Sequence, residues 1–230
     1  MAQTPGKRPA RKTPRAASGA APDPVARIVD AAIAIAEEVG WDAVRLRTVA
    51  DRVGMPLADV QRRCRDLDGV ADAWFARAIG AMLAPSPRDF ADRPAEERLH
   101  LLLMRWFDAL APHRAVTAAM LREKLYLSHP HHWVPMIFNL SRTIQWLRDA
   151  AVLDAGGRRR QVEEVGLTAL FLLTLAVWCR DDSDGQERTR AFLRRRLAAA
   201  DRAVVALWGP APPPGTGRSP ARSRGGSARR

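Results

Sequence analysis

Cysteine is scarce in this chain. Its two cysteines, Cys64 and Cys179, lie far apart, each in an apolar helical setting. They form neither a disulfide framework nor a ligand pair, and they point to a reducing cytosol and a cytoplasmic protein. Long hydrophobic runs are lacking too. The apolar, uncharged stretch over residues 165–179 has fifteen residues, short of the roughly 20 that span a bilayer, and it reads as a buried helix. No signal peptide is evident, because no apolar run follows the charged N-terminus. Strand alternation, internal repeats, Ser/His/Asp elbows, phosphate loops and paired-carboxylate motifs do not stand out either. Nothing marks an enzyme, and no cofactor is expected.

Acid is nearly absent from the two ends. Residues 1–24 hold five Lys/Arg and one Asp, and residues 209–230 hold five Arg and no acid. The ends therefore carry +9 of the net charge of +12, leaving +3 for the body. Such ends either favour polyanions in a salt-dependent, unspecific way or simply keep the protein soluble. Both the 1–22 arm and the 209–230 tail, rich in Pro, Gly, Ser and Arg, read as disordered.

What is present is helix. With 47% apolar residues in 230, the chain can bury one good core or two small ones. Asp23-Pro24 is a cap and first-turn signal for a helix over 25–39, with Ile28, Val29, Ala32, Ile35, Ala36 and Val39 as its buried stripe. Two short amphipathic segments follow. Residues 47–53 carry Val49, Ala50 and Val53, and residues 57–63 carry Leu57 and Val60, with Cys64 just beyond. Gly54 between them supplies the φ > 0 conformation that ends one helix, and Pro56 suits the start of the next. A helix, a tight Gly turn and a second short helix form the helix-turn-helix plan, whose second helix can enter the DNA major groove. Asp66 caps a fourth helix over 67–83, with Val70, Trp74, Phe75, Ala78 and Met82 inward, and Pro85 and Pro87 then break the chain. The helix-turn-helix domain is thus 23–84 and a second helical domain is 94–208.

The order of residues from Ala31-Ala32 through Gly40-Trp41-Asp42-Ala43-Val44-Arg45-Leu46-Arg47-Thr48-Val49-Ala50-Asp51-Arg52-Val53-Gly54-Met55 resembles the N-terminal DNA-binding domain of TetR-family repressors. The resemblance covers roughly the first third of the chain. It implies an all-α, TetR-like fold, an N-terminal helix-turn-helix domain plus a C-terminal helical bundle, acting as a homodimer on double-stranded DNA. That family usually carries a Tyr and a Phe on the recognition helix and a Lys opening the next; here those places hold Gln61, Cys64 and Leu67. The candidate DNA contacts are Arg45, Arg47, Pro56, Leu57, Ala58, Gln61, Arg62 and Arg63, with Arg65 nearby. Arg is the commonest reader of guanine and Gln pairs with adenine. Six arginines against four aspartates leave residues 45–70 at +2, and Asp59 would repel phosphate among the contacts.

The second domain reads as helices over 94–110, 112–127, 133–152, 158–179 and about 185–208, with His129-Pro130-His131-His132 as a loop and Ser183 or Asp184 capping the last helix. The helix over 158–179 is apolar nearly all round, which places it at the centre of a bundle. The pattern Trp178-x-x-Asp181-Asp182-Ser183, then Thr189, then Phe192-Leu193-x-Arg195-Arg196-Leu197 resembles the coenzyme Q biosynthesis accessory proteins, with looser likeness over 99–207. Those proteins share the TetR fold, have lost DNA binding and bind isoprenoid lipid. The resemblance therefore implies an alternative, a lipid-binding accessory protein with a degenerate helix-turn-helix. Asp182 and Ser183 serve equally as plain helix caps.

The last helix sets Phe192, Leu193, Leu197, Val204, Val205 and Trp208 against six arginines. Such a helix suits either a dimer interface or, under the alternative, peripheral contact with anionic membrane. Candidate residues for an apolar or isoprenoid ligand are Trp106, Met120, Phe138, Trp146, Phe171 and Trp178, each also suited to plain core. His129, His131 and His132 lack carboxylate or Cys partners, so no metal site is assigned.

Overall fold

The computed structural model describes residues 23–124 and 130–209, with backbone alone for residues 124 and 130–138. The basic arm, the basic tail and the segment 125–129, with Leu125, Leu127 and His129, lie outside the described residues. Every element among the described residues is helical.

Helix α1, Pro24–Val39, starts where Asp23 accepts a hydrogen bond from Val25 N at 3.1 Å, with Pro24 at its first position. Ile28, Val29, Ala32, Ile35 and Ala36 are buried as the periodicity predicts, joined by Ala31 and Ile33. Val39 is not; at the end of the helix, it is 56% exposed. Gly40 and a short turn, Trp41–Ala43, lead into α2, Leu46–Val53. Gly54 closes α2 in the left-handed conformation, φ 64°, a geometry only glycine adopts freely. Helix α3, Leu57–Cys64, follows, and Asp66 then accepts from Gly69 N at 2.7 Å to start α4, Leu67–Met82. Gly69 is required there: a Cβ would sit 1.9 Å from the Cys64 carbonyl oxygen.

Arginines brace this three-helix unit. Arg52 on α2 pairs with Glu38 on α1 at 2.7 Å, and Arg27 donates to the Val53 carbonyl at 2.6 Å. Arg77 on α4 reaches back to Asp30 and to the Ala26 carbonyl. Exposed pairs are individually weak, so Val49, Val60, Val70 and Trp74 in the shared core hold the unit together.

Helix α4 then packs along α5, Ala95–Leu110. Helices α6 (Arg114–Lys124), α7 (Pro130–Ala150), α8 (Gly157–Trp178) and α9 (Glu187–Trp208) complete the second half. Two expectations are corrected here. Pro130, His131 and His132 belong to α7 rather than to a loop: a proline is tolerated in the first turn of a helix, so it opens α7 instead of breaking the chain. Helix α8 is also not the buried centre. Val165 is 71% exposed and Leu173 53%, with Val162 and Leu172 also exposed, so an entire apolar face is left open. At 22 residues, α8 is long and apolar enough to cross a bilayer by length and composition. The central element is α5, whose Leu102, Leu103, Met104, Trp106, Phe107 and Leu110 are all buried.

Candidate nucleic-acid interface and core cavity

The helix-turn-helix sorts its residues by face. Val60 and Cys64 turn into the core between α1 and α4, and burial pushes the Cys64 thiol pKa up. The opposite face of α3 presents Ala58, Gln61, Arg62 and Arg63, and Pro56 and Leu57 stand at its N-terminus. Leu57, expected on the inner stripe, is 47% exposed because it occupies the first turn, ahead of the packed face. Arg45 and Arg47 are exposed at the start of α2. The Arg45 guanidinium folds back onto the carbonyls of Asp42 (2.7 Å) and Val44 (2.9 Å). Asp59 forms an ion pair with Arg62, and its carbonyl accepts from Arg63 at 3.0 Å. The carboxylate thus meets an arginine on its own helix rather than standing free. All eight expected contacts fall on α3 or at the ends of the segments beside it.

Helix α4 ties this unit to the bundle. Trp74 Nε1 donates to Thr117 Oγ1 at 3.0 Å, in the core between α4 and α6. His113 Nδ1 lies 2.6 Å from Glu37 Oε1 of α1, and its ring meets the Trp74 ring edge-on at 5.5 Å.

A cavity of about 340 Å³ lies beside α4 along Asp72–Ile79. Asp72, Phe75, Ala76 and Ile79 of α4 form one wall. Trp106 of α5 and Phe171, Leu172 and Leu175 of α8 form the opposite one, and Leu121, Asn139, Leu140, Arg142 and Thr143 close it from α6 and α7. Phe75 stacks on Trp106 with ring centres 6.2 Å apart, and Trp106 meets Phe171 edge-on at 5.0 Å. Few polar groups enter: Thr143 spends its hydroxyl proton on the Asn139 carbonyl at 2.9 Å. Trp106 Nε1 is buried with no partner, a state that costs about 1–3 kcal/mol.

Of the residues expected at a ligand pocket, Trp106 and Phe171 line this cavity. Met120 is core, 1% exposed, and Trp146 stands 49% exposed on the outer side of α7. The side chain of Phe138 lies outside the described residues. Trp178 is not a wall: it is fully buried against Phe107 at 5.7 Å and donates from Nε1 to Gln186 Oε1 at 2.5 Å. Gln186 in turn donates to Asp108, which also accepts from Arg190. The sequence reading missed Thr143, Ile79 and Leu175 as walls; their signal was helical spacing, Phe75 with Ile79 and Asn139 with Thr143.

The Asp-Asp-Ser segment also resolves. Asp181, not Asp182 or Asp184, is the buried acid, 1% exposed. It accepts from the backbone N–H and hydroxyl of both Ser183 and Thr189, at 2.5–3.0 Å. Ser183 Oγ accepts from Arg188 N at 3.1 Å. The residue preceding α9, Gln186, makes no side-chain cap, so these two side chains satisfy the free N–H groups of the α9 start from outside the helix. Burial alone would raise the Asp181 pKa; the four hydrogen bonds outweigh it and hold the carboxyl down at about 2. Asp182 is exposed and pairs with Arg188.

A second apolar groove of about 320 Å³ runs between α8 and α9, bounded by Leu99, Leu153, Val162, Leu170, Val204 and Trp208. Val205, Leu207 and Trp208 remain exposed there, extending the open face of α8.

A braced helix-turn-helix, joined by one helix to an all-α bundle with an apolar cavity against that helix, defines a class: all-α helix-turn-helix proteins. The comparisons agree. A TetR transcriptional regulator from Nitrosomonas europaea is 40% identical, covering 76% of this chain and 97% of its own, with a TM-score of 0.68. A TetR transcriptional regulator from Rhodococcus sp. RHA1, 18% identical over 76% of this chain and 92% of its own at a TM-score of 0.54, shares the fold. The chain belongs to the TetR family, and its C-terminal region is COQ9-like, the COQ9 family profile matching residues 164–204. That match covers about the last two-thirds of α8 and most of α9 and includes Trp178, Asp181 and Thr189. No curated protein matches the chain.

Proposed function

We propose that this chain is a homodimeric, DNA-binding transcriptional regulator, a repressor released when an apolar ligand enters the cavity beside α4. One observation carries the reading. Helix α4 begins at the recognition helix and, through Phe75, Ala76 and Ile79, forms a wall of the cavity. A ligand that fits the cavity better in one α4 position than another shifts the population of DNA-binding geometries, by as much as its affinities for the two states differ. Arg62, Arg63, Gln61 and Arg47 supply the DNA contacts in this reading. The open face of α8 and α9 supplies the second copy, and a cytoplasmic location goes with it.

The test is a titration of the full chain and of residues 23–209 against duplexes from the gene's own upstream region and against shuffled duplexes, at physiological salt. The short form removes the basic ends, which alone can mimic binding. A preference of about a thousandfold or more that collapses in Arg62→Ala/Arg63→Ala is expected. Equal, weak binding to both duplexes refutes the proposal.

A second reading has its own support. The COQ9 match and the open apolar faces of α8 and α9 favour a lipid-binding accessory protein of coenzyme Q biosynthesis. Sedimentation with anionic liposomes, and isoprenoid lipid carried through purification, separate it from the first.

A further inference from the structure

We infer that the cavity beside α4 selects an apolar acid, whose body rests on the aromatic floor and whose carboxylate meets Arg142 at the mouth. The inference rests on the reading of this cavity as the ligand site. Burial sorts the lining into floor and mouth. Trp106, Thr143 and Phe171 are buried and form the floor, whereas Asp72, Ala76, Arg142 and Leu172 are exposed and ring the opening. Trp106 Nε1 is itself sealed, so the floor offers a guest rings rather than a donor.

The polar groups come from one stripe of α7. Asn139, Arg142 and Thr143 stand three and four residues apart, and all three line the cavity. Thr143, on the floor, gives its hydroxyl proton to the Asn139 carbonyl. Arg142, at the exposed edge of the stripe, has neither ion pair nor hydrogen bond among the described residues. No other side-chain carboxylate is left to pair with it, because residues 1–22, 125–138 and 210–230 contain no Asp or Glu. The half-buried Asn139 side-chain amide is likewise without a partner among the described residues.

Asp72, on the α4 side of the mouth, is already engaged. The charge left unmatched at the opening is therefore positive. A carboxylate placed there keeps part of its hydration and gains a guanidinium fork, so it escapes the penalty of a buried ion. The Asn139 amide can add one further donor. A neutral guest leaves both groups unused, and a cation meets a like charge.

The test uses three probes that share one ring system: 2-naphthoate, 2-naphthalenemethanol and 2-naphthylmethylammonium. Each is titrated into the full chain by calorimetry at neutral pH and low salt, without DNA. The acid should bind about tenfold more tightly than the alcohol, as for one charge-assisted contact at a half-solvated site, and the ammonium more weakly than either. In Arg142→Gln the acid-to-alcohol ratio should fall to about one, while alcohol binding changes by no more than about twofold and so marks the cavity as intact. Raising NaCl to about 0.5 M should narrow the wild-type ratio. Equal binding of acid and alcohol to the wild-type chain, which needs no variant, overturns the inference. So does a ratio that survives in Arg142→Gln, tightest binding by the ammonium, or the failure of all three probes to bind. Because no DNA is present, the outcome is separate from that of the operator titration. Operator binding with no preference for the acid leaves the regulator standing and removes the inference.

Discussion

Replacing Asp181 by Asn should cost this protein about 3 kcal/mol. The carboxylate accepts four hydrogen bonds, two of them from Thr189, which is fully buried. An amide offers one acceptor oxygen and turns two donors toward donors. The Thr189 hydroxyl can rotate to accept, but its backbone N–H cannot. One buried donor left unpaired costs about 1–3 kcal/mol, and the loss of charge assistance adds to it. The pKa leads to a similar figure: a carboxyl lowered from 3.8 to about 2 stabilises the fold by about 2 kcal/mol at neutral pH. For a chain of this size, 3 kcal/mol lowers Tm by about 6–12 °C. The sign with pH follows from the depressed value. The stabilisation is complete above pH 4 and is lost as pH falls through the interval toward 2. Thermal melts by circular dichroism at pH 7, 5, 4, 3 and 2 should therefore show the wild-type advantage shrinking only below pH 4. A loss under about 1 kcal/mol at pH 7, or a gap that stays constant down to pH 2, would refute the argument that Asp181 holds the α9 start as a carboxylate.

Two further outcomes follow from packing. Val165→Glu puts a charge in the middle of the open α8 face, where the side chain is 71% exposed; it should leave the monomer fold intact and convert the proposed dimer to monomer in light scattering after gel filtration. Arg148→Ala should destabilise the chain by about 1–3 kcal/mol in urea unfolding, because Glu163 and Glu164 keep Arg159 and Arg160 as partners. The substitution removes a 4% exposed guanidinium that pairs with Glu163 at 3.3 Å and Glu164 at 2.9 Å.

Much of the stretch from α1 to α4 was legible because its signals are local. Asp23-Pro24, Gly54, Pro56 and Asp66 each act within a few residues, and each sits where its chemistry requires. The spacing of Val49, Ala50, Val60 and Cys64 likewise identified the faces turned inward. The stretch from α5 to α9 was harder to read where its partners are remote. An apolar surface looks the same in sequence whether its own core or another molecule covers it, so α8 read as a buried centre. Trp146 and Trp178 show the same ambiguity: both are large and aromatic on helices, yet one faces solvent and the other is sealed in the core. The Asp181 acceptor depends on Thr189 across the turn before α9, so cap rules confined to adjacent residues found Ser183, which does accept from Arg188 N, and passed over Asp181. Trp106 was readable as a pocket residue, but its missing partner was not, since an absent hydrogen bond leaves no trace in sequence.

Helix α4 has one more consequence, that of a lever. Phe75 lies nine residues beyond Asp66, or about 13 Å along the axis at 1.5 Å per residue. The α4 wall of the cavity runs from Asp72 to Ile79, the Trp74 to Thr117 contact falls within that span, and the near end of α4 follows directly on α3. Under the proposed function, a guest that displaces Phe75 tilts α4 and carries α3 with it. In a two-fold symmetric pair both arms swing, so the spacing between recognition helices changes by twice the displacement of each. DNA offers successive major grooves about 34 Å apart, and a small push at each cavity is doubled before it reaches them.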